Sequence, residues 1–421
     1  MSDRGTTDSS TDDRRSRGVS TVRTVAIAAL VVTAAALAGC GALGGGGGGG
    51  GDGGDGGAGS ANVDAPGPLN NKLDSNAGTI YQRVEDILGT DTEAPRVVIQ
   101  PVNSPVNASN RFHKLMLGHP DEPGQLESNV TGMYNPDDHA VFVNEDLFAE
   151  MSAAEAEGTL AYYFAASIHV RNGWLNDTSV NLDNLDTTGT YSIRTLYQGT
   201  VRSSYQTYVS EHMDGTPGPL APAGEQQTFD DMTAFEWAVD GASNYYGVEY
   251  VNGATDSPSD IPSLYENAPA TTEQMLHDSD EEPLELSMNA THSNWWTMPR
   301  MPYLVDSFGE LGTRAVLRSA HSESDAAAAA EGWGDDRAVT FESVQNESAG
   351  AVWTHRWDTA EDADEFASAV EALSEQRGDP VTFNVTQPAE DTTIVVAHRG
   401  NFTNNADISY EDNEVTIRVG N

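Results

Sequence analysis

The chain is 421 residues long and carries 21 Lys plus Arg against 65 Asp plus Glu, a formal charge of −44. A surface of that sign repels phosphate, which excludes non-specific nucleic-acid binding. The acids are spread along the whole chain, and their self-repulsion is relieved only where strong salt shortens the Debye length to about 3 Å, so the composition is that of a halophile's protein.

Taken in chain order, Arg14, Arg15, Arg17 and Arg23 precede an apolar run over residues 25–38 that is broken only by Thr33 and ends in Leu37-Ala38-Gly39-Cys40. This is the layout of an export signal, and the run is shorter than the roughly 20 residues a membrane-spanning helix needs. Leu-Ala-Gly-Cys resembles the lipobox of exported lipoproteins. The resemblance implies an export signal over residues 1–40, lipid attachment at Cys40, and the membrane as a partner through that lipid; an uncleaved anchor and simple cleavage are the alternatives. Cys40 is the only cysteine, so it has no disulfide partner in the chain. Arg14-Arg15 is a twin-arginine pair, but Ser16, Arg17 and Gly18 follow where that motif takes apolar residues, which leaves the export route open. Residues 41–66 read as a Gly-rich, disordered tether. Asn-x-Ser/Thr sequons at Asn107, Asn129, Asn176, Asn289, Asn346, Asn384 and Asn401 are candidate glycosylation sites and suit a surface glycoprotein.

The folded body opens with a helix over 78–88 and a strand over 96–102. A turn-rich stretch, 132–138, leads into a strand at 140–144. Ser152 and Glu155 form a capping box and Asn172-Gly173 a stop, which predicts a helix over 153–171. A second long helix carries Ile193, Leu196, Tyr197, Val201, Tyr205 and Tyr208 on one face and ends before Gly215 and Pro217. Further helices are expected over 229–246, from Thr272, and over 304–319. From about residue 337 the rhythm changes to strands at 338–344 and 351–356, a helix over 362–373, and strands near 381–385, 392–398 and 415–419. The expected class is α+β: a mostly helical body with a small sheet over 67–336, followed by a C-terminal α+β subdomain over 337–421.

Several segments in this order resemble a family of secreted and lipid-anchored, zincin-like surface proteins of haloarchaea. They are Gly132-Met133-Tyr134-Asn135-Pro136, Thr159-Leu160-Ala161, Leu196-Tyr197-Gln198-Gly199, Pro269 through His277, Phe308-Gly309-Glu310-Leu311-Gly312, Gly332-Trp333-Gly334-Asp335-Asp336-Arg337, and Trp353 through Phe366. In active members of such a family a His-Glu-x-x-His helix supplies two zinc ligands and a general base, and a glutamate on the next helix supplies the third ligand. The resemblance places Tyr162 and Ala166 at the histidine positions, Tyr163 at the base and Gln198 at the glutamate. All four are degenerate, which implies no catalytic residue, no metal and no cofactor at that site.

Other candidates are weaker. His169 lies two helical turns beyond Tyr162 and reads as a polar residue near a helix end, its charge suiting the dipole. His113 and His119 lack an evident third metal ligand. His277 and His292 read as structural or surface residues. Glu310 reads as a helix-end or buried-pair acid, and Trp333, Asp336 and Arg337 as a tight turn with an ion pair. Trp295, Trp296, Met298 and Met301 read as an apolar cluster, in the core or lining the former cleft. No Gly-x-Ser-x-Gly elbow is present. The sequence thus points to a lipid-anchored, extracellular, non-catalytic relative of a zinc metallopeptidase, binding a peptide or envelope component. An active hydrolase built around Glu310 and a purely structural envelope glycoprotein are the alternatives.

Overall fold

The capping box after Ser152 is formed: the Glu155 amide donates to Ser152 Oγ at 3.2 Å, and the Ser152 amide donates to the Glu155 carboxylate at 2.6 Å. It starts the helix Ala153–Arg171, in which every residue from Ala156 to His169 is buried. A helix apolar on all sides belongs in the middle of a core. This structure, a computed structural model, describes residues 62–102, 105–106, 111–117, 126–127, 131–176, 178, 180, 185–213, 241–299, 304–377 and 380–420. Cys40, residues 41–61 of the tether, Asn107, Asn129, His119 and Met301 lie outside these residues. Residues 62–66, expected as the end of the disordered tether, are instead held on the body: the Val97 amide donates to the Asp64 carbonyl at 2.7 Å, and Val63 and Ala65 pack against the core.

Three elements surround the central helix. The first is the amphipathic helix Ala77–Leu88, with Tyr81 set edge-on to Phe164 at 5.2 Å. The second is the long helix Thr187–His212, capped by Asp186, which accepts from the Gly189 amide. The third is a three-stranded sheet ordered Arg96–Gln100, Ala140–Asn144, Gly132–Asn135, its first pair parallel and its second antiparallel. The stretch 132–138, expected as turn, therefore begins as a strand with Tyr134 fully buried. Only its second half turns, where Asn135 Oδ1 accepts from the Asp137 and Asp138 amides.

The long helix packs against Ala242–Ala254 glycine to glycine: a Cβ on Gly199 would lie 2.2 Å from the Gly247 carbonyl oxygen. The helix expected over 229–246 is described only from residue 241 and runs on to Ala254, beyond the predicted end. The helix expected from residue 304 starts at Gly309 instead. Ahead of it Asp306 bridges to Ala338, and the chain enters the helix through Gly309 at φ 71°, a turn that the apolar spacing does not report.

The C-terminal part is layered. An antiparallel five-stranded sheet has the order Thr382–Ala389, Thr392–Arg399, Ala349–Trp357, Trp333–Ser343, Trp296–Thr297. Alternate residues face opposite ways, as the pleat requires. Ala338, Trp353, Val395 and Ala397 pack under Phe366, Val370 and Leu373 of the helix Ala360–Arg377. Val339, Val352, Ile394 and Val396 pack instead on a three-stranded sheet of Ala406–Glu411, Glu414–Val419 and Ser287–His292. The class is α+β. The strand Trp333–Ser343 runs across the boundary expected between residues 336 and 337, and strands from 287–297 join these sheets. The sheet unit therefore draws on residues assigned by sequence to the helical body.

The contact between Gly199 and Gly247 is testable. Gly199→Ala pushes a methyl group into backbone and is expected to lower stability by about 1–3 kcal/mol. Gly253→Ala, with nothing within 4 Å of its added Cβ, is expected to be neutral or to gain up to about 1 kcal/mol. Denaturant midpoints in high salt check both.

Candidate functional site

The positions that the resemblance assigns to zinc are part of the core. Tyr162 is 2% exposed, Ala166 1%, and Tyr163 and Gln198 0%. The Tyr162 ring stands edge-on to Tyr163 at 5.2 Å and to Tyr205 at 6.0 Å. Tyr163 lies against the strand above it, so close that a Cβ on Gly132 would come within 2.9 Å of its ring. Burial pushes the Tyr197 phenol well above its ordinary value, and the neighbouring phenols of Tyr162, Tyr265, Tyr134 and Tyr163 add to the shift. Phenols, a methyl group and an amide offer no imidazole, carboxylate or thiolate, so these four residues do not fit a zinc ion.

His169 is not the charged helix-end residue expected. It is 0% exposed, and its ring stands edge-on to Trp174 at 4.8 Å. Nδ1 is 3.2 Å from both Tyr265 Oη and Thr200 Oγ1, which are themselves 2.7 Å apart. Burial lowers its pKa to about 3 and keeps the ring neutral.

The C-terminal landmarks converge where the helical body meets the sheets. Glu310 is fully buried; its Oε1 accepts from Arg314 Nε at 3.0 Å and Nη2 at 2.6 Å, and His277 Nε2 lies 3.0–3.1 Å from both carboxylate oxygens. Arg314 continues to Tyr246 Oη at 3.1 Å, and Tyr246 bonds Glu323. The buried-pair reading of Glu310 matches this geometry. His277, however, is part of the pair's network, its pKa raised first of all by the bond to Glu310.

The expected turn at Trp333, Asp336 and Arg337 is corrected to strand. Arg337 pairs with Asp335 at 2.5 Å, not with Asp336. Asp336, 0% exposed, instead accepts from five donors: Ser307 Oγ, the Phe308 and Gly309 amides, and the indole nitrogens of Trp333 and Trp353, at 2.7–3.2 Å. Burial raises its pKa against the lowering pull of Trp353 and the two amides. Sequence reading missed Arg314 and Tyr246 in the Glu310 network. The spacing of Glu310 and Arg314, four apart on one helix, was the available signal.

The tryptophan cluster lines no cleft in the helical body. Trp296 packs on Phe402 in the core between the two C-terminal sheets, Met298 lies against the same core, and Trp295 is 45% exposed. His113 falls on the short helix Arg111–Met116. His292 ends the strand Ser287–His292 and is exposed. Five sequon asparagines, Asn176, Asn289, Asn346, Asn384 and Asn401, are exposed.

Residues 303–421 match the family model of a domain of unknown function, DUF8575. No curated protein and no solved structure matches the chain. The matched stretch begins just ahead of the Asp306 to Gly309 segment that Asp336 holds, and so includes both sides of that contact.

The buried His169 generates a pH prediction. Its folded pKa of about 3 lies below the ordinary 6.5, so its neutral form is required by the fold. The stability it permits is fully present above pH 6.5 and is lost as the pH falls towards 3, because only the unfolded chain takes up the proton, at about 1.4 kcal/mol per pH unit. Raised carboxyls such as Asp306 (about 6) and Asp335 (about 7) act in the opposite sense, so the comparison must be differential. His169→Phe is expected to give a shallower loss of stability than the parent between pH 6.5 and 4.5, measured by denaturant midpoints. Parallel curves would show that His169 protonates within the fold.

Proposed function

We propose that the chain is a lipid-anchored, extracellular surface protein of a halophile, a non-catalytic relative of zinc metallopeptidases that acts by binding a peptide or envelope component. The observation that carries this reading is the filling of the former zinc position: Tyr162, Tyr163, Ala166 and Gln198 are at most 2% exposed and the rings pack on one another. A catalytic zinc takes three protein ligands and an open coordination position, and neither is compatible with that packing. The rival hydrolase loses its best acid, because both Glu310 oxygens are engaged by Arg314 and His277.

The exposed sequons fit a surface that faces the outside of a cell. Among the described residues no helix is long and apolar enough to cross a membrane; in this reading the lipid on Cys40 supplies attachment. Two open hollows lie among the described residues. One of about 170 Å³ is lined by Tyr246, Tyr250, Met275 and Leu276 together with the acids Glu249 and Asp278, and would take a side chain of a bound peptide that is apolar in its stem and cationic at its tip.

Two measurements test the proposal. In a halophilic host, Cys40→Ser is expected to move the protein from the membrane fraction into the medium; retention on the membrane would refute lipid anchoring. Elemental analysis of the protein purified in multimolar salt is expected to give zinc far below one per chain. A stoichiometric zinc abolished by Gln198→Ala would overturn the non-catalytic reading.

A further inference from the structure

Three carboxylates outside the former zinc position converge on one point. An oxygen from each of Glu273, Glu281 and Asp358 lies within 4.8 Å of the other two. They arrive from separate segments: Glu273 from the helix Thr272–His277, Glu281 from the chain after it, and Asp358 from the residue following the strand Ala349–Trp357. Each segment is held by bonds that do not use the carboxylates. Thr271 and Gln274 cap the helix reciprocally, Gln274 Nε2 donates to the Glu281 carbonyl at 2.8 Å, and the Asp358 amide donates to the Gly332 carbonyl at 2.9 Å. The convergence is therefore built by the backbone.

Glu273 is the telling member. It is only 5% exposed, and no hydrogen bond from a described residue reaches its carboxylate, which is directed at Glu281 and Asp358. A buried charge is expensive unless something pairs with it. The nearby cations are already committed, since Arg314 and His277 both serve Glu310. Burial first, then the charges of Glu310, Asp358 and Glu281, push the Glu273 carboxyl up to about 8, while His277 pulls weakly the other way. Among the described residues no uncommitted cationic side chain pairs with the three acids.

We propose that Glu273, Glu281 and Asp358 form a binding site for a hard divalent cation, calcium above all. The donors are all oxygen, which selects calcium or magnesium over zinc or copper. Calcium accepts a flexible shell at about 2.3–2.6 Å, whereas magnesium demands a near-ideal octahedron at about 2.0–2.1 Å. Donors that arrive from three separate segments, two of them exposed, suit the more flexible shell. The ion would join the helix Thr272–His277 to the end of a sheet strand, a clamp between the two parts of the molecule. The inference is independent of whether the protein is catalytic.

The test uses the full chain purified from a halophilic host, stripped with a chelator and titrated with calcium chloride in multimolar potassium chloride by calorimetry. One saturable calcium per chain is expected, with a rise in the thermal midpoint. Glu281→Gln with Asp358→Asn, both at exposed positions, is expected to keep the circular dichroism spectrum and weaken calcium binding at least about 10-fold. An isotherm that never saturates, or one unchanged in the double variant, would overturn the site and leave the three acids sharing protons instead.

Discussion

The carboxylate of Asp336 is the contact on which the two parts of the molecule depend. It sits in a strand of the C-terminal sheet and binds the Phe308 and Gly309 amides, so it caps the helix Gly309–Leu317 from outside that helix. A charged acceptor suits a helix N-terminus because the first amides have no partner within the helix. The same carboxylate holds the indoles of Trp333 and Trp353, which fixes the large rings of the sheet core. One residue upstream of Ser307, Asp306 repeats the device, accepting from the Thr187 amide at 2.8 Å and the Thr187 hydroxyl at 2.7 Å at the start of the long helix. Two buried aspartates thus set the start of two helices against one strand. Hydrogen bonds to a charged group contribute about 1.5–3 kcal/mol each, and donors left bare by its removal cost more.

The helical half is organised by aromatic packing. In a metallopeptidase the central helix must spend one face on ligands and leave an opening for substrate. Here that helix is closed on every side, with Tyr162 and Tyr163 in the places where small polar chemistry would need room. Rings at these positions add buried apolar surface and carry no charge that a metal would balance. Among the buried polar residues of this helix, His169 survives in the core by staying neutral, its Nδ1 within hydrogen-bond distance of Thr200 and Tyr265.

Much of this fold was legible in the sequence because local signals and tertiary structure agreed. The Ser152 capping box and the helix after it, the helix from Thr272 and the strands at 351–356 and 392–398 are all realised. The errors share a cause, a side chain or glycine acting across the chain. Gly309 at positive φ and Asp306 bridging Ala338 delay a helix that apolar periodicity starts too early. Asp336 makes a strand out of a Gly-rich stretch that reads as a turn. The strand Ser287–His292 escaped because its partner, Glu414–Val419, lies over a hundred residues away. At the site the sequence named Glu310 and Tyr162 but not Arg314, Glu273 or Asp358, whose significance arises only when separate segments meet.

Charge placement gives the last link between sequence and environment. Multimolar salt screens charges that touch water and does little for those that do not. Three of the scarce cations meet buried acids: Arg314 meets fully buried Glu310, Arg337 meets Asp335 at 5% exposure, and Arg83 meets Glu157 at 9%. Surface acids such as those along the helix Ala360–Arg377 are left to the solvent's ions. The other buried acids Glu85, Asp306 and Asp336 take neutral donors instead, from Thr92, Thr187 and Phe308, so each is bonded from within the chain. Glu273 breaks the pattern, for it is buried and the arginine beside it is already spent on Glu310. Of the four buried glutamates, Glu310 and Glu157 meet arginines and Glu85 accepts from the Thr92 amide; Glu273 alone receives no such bond among the described residues, and that exception is why the proposed site at Glu273 takes a partner from outside the chain.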